Sequence, residues 1–243
     1  LKPERIDFIS YPYEWSFTEL KDAALLTLLV QKEALKRGMI LKDASAYNIQ
    51  FNHGKPVFID TLSFEKYREG QPWQAYRQFC QHFLGPLALM SYKDIRLSLL
   101  LRFYLDGIPL DLASSLLPTR TRFSLPLLMH LHLHAKSQAS YAEKTVNVKG
   151  MQVSLRSLNA IIEQLESTVK HLTWRPRGTE WAAYDVDIDT SYSAEALSHK
   201  KEIVADFLNK LNPGTVWDIG GNTGIFSRIA SSRGIPVISY DMD

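Results

Sequence analysis

The sequence has a single cysteine, Cys80, so an internal disulfide is excluded and the chain reads as suited to a reducing cytoplasm. It has no long apolar run. The longest mostly apolar stretch, Ala23 to Val30, falls far short of the roughly 20 residues that a membrane-spanning helix needs. It has no excess of one charge. With 28 basic and 26 acidic side chains the net charge is +2, which gives no indication of a nucleic-acid partner. Nor is there a surplus of glycine (12) or proline (11), which excludes collagen-like and low-complexity classes. An initiating methionine is also missing. The chain opens at Leu1 and stops at Asp243, directly after a strand pattern, so both ends read as cuts within a longer protein. What remains is ordinary globular composition, 45% hydrophobic and 22% charged, long enough for one large domain or two smaller ones.

Helical periodicity dominates the first two thirds. It predicts helices over Phe17 to Arg37, Trp73 to Phe83, Lys93 to Leu105, Leu125 to Lys144 and Leu155 to Leu172. Gly38 is placed to end the first helix, and Pro72, Gly85–Pro86, Gly107–Pro109 and Pro118 punctuate the others. Two short apolar stretches, Asn48 to Phe51 and Val57 to Ile59, flank Gly54 and predict a hairpin. The expected division is a helical domain at 1–172, a linker or cover segment at 173–193, and an α/β unit at 194–243. That last unit reads as a helix over Ala194 to Leu211, then strand Thr215 to Ile219, helix Gly224 to Ser232 and strand Pro236 to Tyr240.

Within it, VWDIGGNTGIFSRIA (Val216 to Ala230) carries the sharpest signal. Asp218 stands near a strand end. Gly220, Gly221 and Gly224 make a tight turn into a helix, where a backbone without Cβ atoms can approach a ligand. A helix N-terminus offers that ligand unpaired N–H groups. Asp241 ends the second strand, where a carboxylate can accept ribose hydroxyls. The stretch resembles the first motif of class I S-adenosylmethionine-dependent methyltransferases, acid-x-Gly-x-Gly-x-Gly, with Asn222 in the place of the middle glycine. The preceding helix, with Lys200 or Lys201, resembles the lead-in of those enzymes. The resemblance implies a Rossmann-like fold and S-adenosyl-L-methionine as cofactor. Asp218, Gly220, Gly221, Asn222 and Gly224 would face the methionine moiety, and Asp241 the ribose. A dinucleotide-binding unit is the competing reading, disfavoured because Gly220 and Asn222 occupy the spacing where it carries two glycines. A βαβ turn without a ligand is the other.

A second constellation lies in LKDASAYNIQFNHGKPVFIDTLSF (Leu41 to Phe64). Asp43 and Asn48 are five apart, and Asp60 follows the hairpin. This resembles the catalytic loop of protein kinases and of aminoglycoside and choline phosphotransferases. The resemblance implies a mainly α, kinase-like C-lobe. Asp43 would orient or deprotonate an acceptor hydroxyl, and Asn48 and Asp60 would be hard oxygen ligands for Mg²⁺ on ATP. Arg5 to Trp15 resembles the strand and hinge between two kinase lobes. Leu41 and Lys42 replace the usual His and Arg, and Asp60-Thr61-Leu62 lacks the usual Phe-Gly. The plain alternative is that Asp43, Asn48 and Asp60 are turn and strand punctuation.

Other residues carry weaker signals. His130, His132 and His134 alternate with leucines and would share a face, fit for a metal, only on a strand. On a helix they are ordinary histidines. Cys80 reads as a buried structural thiol, and Tyr11, Tyr13 and Trp15 as hinge packing. Arg120, Arg122, Lys136 and Lys144 read as a solvated basic face. Taken together, the chain resembles bacterial class I methyltransferases with a kinase-like front half, of the nodulation-related type. The implied activity is methyl transfer from S-adenosylmethionine. ATP- and Mg-dependent phosphotransfer and a pseudokinase scaffold are the alternatives.

Overall fold

The computed structural model describes residues 4–133, 152–175 and 193–241. The chain divides into two compact units, Leu1–Trp174 and Arg175–Asp243.

The first unit is built around helix α1 (Phe17–Lys36). Ser16 caps it, accepting from the Glu19 N–H, while the Glu19 carboxylate accepts from the Ser16 N–H. Gly38, at φ 68°, ends the helix as expected, because that left-handed turn is cheap only without a Cβ. Strand β1 (Met39–Leu41) then pairs antiparallel with β4 (Phe64–Lys66), a pairing with no signature in the sequence. Between them, β2 (Ile49–Asn52) and β3 (Lys55–Phe58) form the expected hairpin, with His53 and Gly54 at positive φ in the turn. Residues 4–11 join no strand ladder. Instead the Gln50 side-chain amide acts as a partner strand, accepting from the Ser10 N–H at 3.0 Å and donating to its carbonyl at 2.9 Å. The strand expected ahead of the hinge is therefore replaced by a single side chain.

The predicted helix break at Gly85–Pro86 does not occur. Helix α2 (Tyr76–Phe79) runs through a π-turn (Cys80–Leu84) into α3 (Gly85–Tyr92). The wider turn restarts the ladder, so Pro86 falls in a first turn where no N–H is required. Gly85 fits because a Cβ there would stand 3.1 Å from the Cys80 carbonyl oxygen. The helix expected over 93–105 is a 3₁₀ helix over Ile95–Arg102. Helix α4 (Leu110–Leu116), the short α5 (Leu125–Leu127) and the π-turn that continues it (Leu128–Leu133) follow. Residues 134–144 of the expected long helix lie outside the described residues.

Helix α6 (Leu155–His171) closes the unit against α1. It buries Leu158, Ile162, Leu165 and Val169. Lys21 of α1 donates to the carbonyls of Lys170 and Leu172, at 2.8 and 2.9 Å, where the helix end carries unpaired acceptors and partial negative charge. Lys32 and Lys170 share the Glu166 carboxylate. The core runs from Leu20 and Leu28 through Phe79, Phe83 and Leu87 to Leu158 and Leu165.

The second unit opens with α7 (Ala194–Leu211). Ser193 caps its start, and Asn212, at φ 42°, its end. Strand β5 (Val216–Ile219) pairs in parallel with β6 (Val237–Tyr240), in the register Asp218 opposite Ser239, and α8 (Ile225–Ser231) connects them. Helix α7 packs on α8, with the Lys200 ammonium over the Phe226 ring at 4.8 Å. Among the described residues no helix is long and apolar enough to cross a membrane.

Candidate functional sites

The glycine loop after β5 is stitched to the end of β6. The Gly220 and Gly221 N–H groups both donate to the Tyr240 carbonyl, at 2.8 and 3.0 Å. Left-handed backbone recurs at every second residue: Gly220 at φ 78°, Asn222 at 44° and Gly224 at 76°. Asn222 thus takes the conformation expected of the glycine it replaces. Gly221 is needed for another reason, since a Cβ there would overlap the Ser239 hydroxyl. A Cβ at Gly220 would meet nothing within 4 Å, so that side of the loop is open.

This stitching brings the two predicted acids to the same loop. Asp241 accepts from the Asn222 N–H at 2.6 Å. Asp218 accepts from the Ser227 hydroxyl of α8, tying β5 to that helix. Ser227 and Ser239 have no motif that marks them in the sequence. Their only signal is a small polar residue facing a glycine turn.

In the first unit, Asp43, Asn48 and Asp60 converge through Ser63. The Asn48 amide nitrogen donates to Asp43 Oδ1 at 3.1 Å and to Ser63 Oγ at 3.0 Å. Ser63 donates to Asp60 Oδ2 at 2.6 Å, and the Leu62 N–H donates to Asp60 Oδ1 at 2.8 Å. The Ser63 hydroxyl, the Leu62 amide and the nearby Lys42 charge hold the Asp60 carboxyl below its ordinary range. Backbone bonds set the frame: Ile59 N–H to the Asn48 carbonyl, and Lys42 N–H to the Ser63 carbonyl. The Asp43 loop is also braced, because Asp43 Oδ1 accepts from the Ser45 N–H and Gln78 Oε1 from the Ala44 N–H. The turn roles foreseen as the plain alternative are therefore present too. Ser63 carries one sequence signal, the pattern Asp-x-x-Ser that begins at Asp60.

Behind this loop lies His82, 1% exposed, on the π-turn. Burial pulls its pKa down to about 4, against the opposing pull of Asp43 and Asp106. Its ring meets Tyr47 edge-on at 6.2 Å. Gly107 leaves this contact room, since a Cβ there would stand 2.6 Å from the Gln81 Cβ and 3.0 Å from the His82 ring.

The histidine pair is structural. Tyr76 Oη and Gln164 Oε1 bracket His130, at 2.6 and 3.0 Å. Ser114 and Thr121 bracket His132, at 2.7 and 2.9 Å. His134 lies outside the described residues, as do Lys136 and Lys144 of the basic strip. Among the described residues no group of three His, Cys, Asp or Glu side chains forms a metal site. Cys80 is fully buried and its thiol is pushed up to about 12, which leaves it unreactive at neutral pH. Tyr11 and Tyr13 stack on each other, and Trp15 packs edge-on against Phe51.

No protein-family model matches the chain. No solved structure matches it. Among curated proteins, the chain is similar to the "Nodulation protein NoeA" of Rhizobium meliloti (strain 1021), with 38% identity over 244 aligned positions. That alignment takes in 98% of this chain and 51% of the relative, so the chain spans about half the length of the curated protein it matches.

Proposed function

We propose that the protein is an S-adenosylmethionine-dependent methyltransferase acting in nodulation, and that residues 194–243 open its cofactor domain. One observation carries this reading: the Asp241 carboxylate is held by the Asn222 N–H at the lip of a loop with three left-handed residues. The fit to the cofactor is local and chemical. Gly220 has open space where a side chain would otherwise stand, and a carboxylate fixed beside it suits a ribose diol. Asp241 would accept the ribose hydroxyls, and Gly220 would let the methionine moiety approach the backbone. Asp218, through Ser227, would keep β5 and α8 in register around it. The bound cofactor supplies an electrophilic methyl group. Calorimetric titration of the full-length protein with S-adenosylmethionine tests this. Asp241→Ala is expected to weaken binding by about 1–3 kcal/mol, the cost of leaving a ligand hydroxyl unpaired. Equal affinities would remove Asp241 from the site.

A second reading concerns the first unit, and the chain Asp43–Asn48–Ser63–Asp60 favours it: ATP- and Mg-dependent phosphotransfer on a kinase-like lobe. One carboxylate and one amide oxygen suit Mg²⁺, which keeps waters and phosphate oxygens as its other ligands. Asn48 and Asp60 would hold the ion. Asp43 would orient a hydroxyl acceptor. If wild-type protein shows no shift in melting temperature with ATP and Mg²⁺, this reading is replaced by that of a pseudokinase scaffold.

A further inference from the structure

We infer that Ser63 is a positioning residue that locks Asn48 and Asp60 into a preformed pair of cation ligands. The inference rests on the second reading above, in which those two residues hold Mg²⁺.

The direction of each hydrogen bond is fixed by chemistry. An amide nitrogen only donates, and an ionised carboxylate only accepts. The Ser63 hydroxyl between them therefore accepts from Asn48 and donates to Asp60, with no freedom to reverse. Both N–H bonds of the Asn48 amide are then spent, one on Asp43 Oδ1 and one on Ser63 Oγ. This fixes the amide plane. No hydrogen bond among the described residues uses the Asn48 oxygen, the atom a hard cation would take. Asp60 is fixed at both ends, Oδ1 by the Leu62 N–H and Oδ2 by Ser63. Burial makes the link hard to replace by water, since Ser63 is 1% exposed and Asn48 is 8% exposed. The two ligands sit on different elements, one before β2 and one after β3. The backbone bond from Ile59 to Asn48 sets their spacing but not the rotation of their side chains. Ser63 is the side chain that bonds to both and so couples their rotations.

Partners that orient metal ligands typically carry a 10- to 100-fold effect on metal affinity. Ser63→Ala is therefore expected to weaken Mn²⁺ binding by about 10- to 100-fold. Mn²⁺ is the probe, titrated by electron paramagnetic resonance into the full-length protein with a non-hydrolysable ATP analogue. Ser63→Thr, which keeps the hydroxyl, is expected to bind within a few-fold of wild type. Melting curves in EDTA separate positioning from folding, because a merely structural role gives no rescue of binding by threonine at equal stability. If Ser63→Ala does not fold, Ser63→Cys keeps the volume with a much weaker donor and takes its place. Wild-type binding with an unchanged affinity in the Ala or Cys variant overturns the role of Ser63 and leaves the phosphotransfer reading standing. A folded threonine variant that binds as weakly as alanine overturns it too. Wild-type protein that takes up no Mn²⁺ overturns the phosphotransfer reading, and the inference falls with it.

Discussion

Helices α6 and α7 begin with the same device, a serine whose hydroxyl accepts from the backbone N–H three residues on, and they are 17 and 18 residues long. Beyond that they diverge. Helix α6 buries Leu158, Ile162, Leu165 and Val169 in the first unit. Helix α7 buries none of its residues and exposes Ile203, Phe207 and Leu211 along one face. Strand β5 of the same unit exposes Trp217 and Ile219. A capped, amphipathic sequence thus specifies a helix in both units, while burial comes only from what packs against it.

The contrast is broken most directly by truncating one side chain in each helix. Leu165→Ala removes a fully buried side chain and is expected to cost about 2–5 kcal/mol in urea unfolding. Phe207→Ala, on a ring 59% exposed, is expected to stay within about 0.5 kcal/mol. A large loss at Phe207 would show that its face is covered in solution.

Acid sharpens the comparison next. His82 has a folded-state pKa of about 4 against an ordinary 6.5, so the unfolded chain takes up the proton first. Stability from this group is full above about pH 6.5, falls as pH drops toward 4, and changes no further below that. The total is roughly 3 kcal/mol, at about 1.4 kcal/mol per pH unit. Urea midpoints at pH 7.5 and 4.5 should therefore separate more in wild type than in His82→Gln. Equal separations would remove His82 from the acid response.

A further effect is local to the second unit. Gly221→Ala drives a methyl into the Ser239 hydroxyl and is expected to destabilise the loop by about 1–3 kcal/mol, read as faster amide exchange at Gly220 to Asn222. Adding Ser239→Ala should restore most of the protection. If it does not, the crowding is against Asp218 instead.

What the sequence made legible was local. The glycine turns marked element ends, and the Gly220–Gly224 spacing pointed to a loop whose left-handed positions follow the pattern. The spacing of Asp43, Asn48 and Asp60 located three residues that do converge. What it hid depends on distant partners. Strand β1 has three residues and finds β4 across an intervening hairpin, so neither has a periodic signature of its own. The proline at 86 read as a break because the π-turn that absorbs it shows only in three dimensions. Ser63 is not marked in the sequence because a serine three places after an aspartate is common, and only the fold brings the Asn48 amide to its hydroxyl.

The clasp between Lys21 and the end of α6 joins residues 149 and 151 positions apart, which has a consequence for synthesis. Helix α1 leaves the ribosome long before its partner exists. At about 5–20 residues per second, the wait is on the order of 10 s, far longer than a helix takes to form. Throughout that interval the Lys21 ammonium has no α6 carbonyl to meet, and the face of α1 that α6 covers has no partner. The Lys21 clasp is therefore among the last links of the first unit that synthesis makes possible, since it needs Leu172.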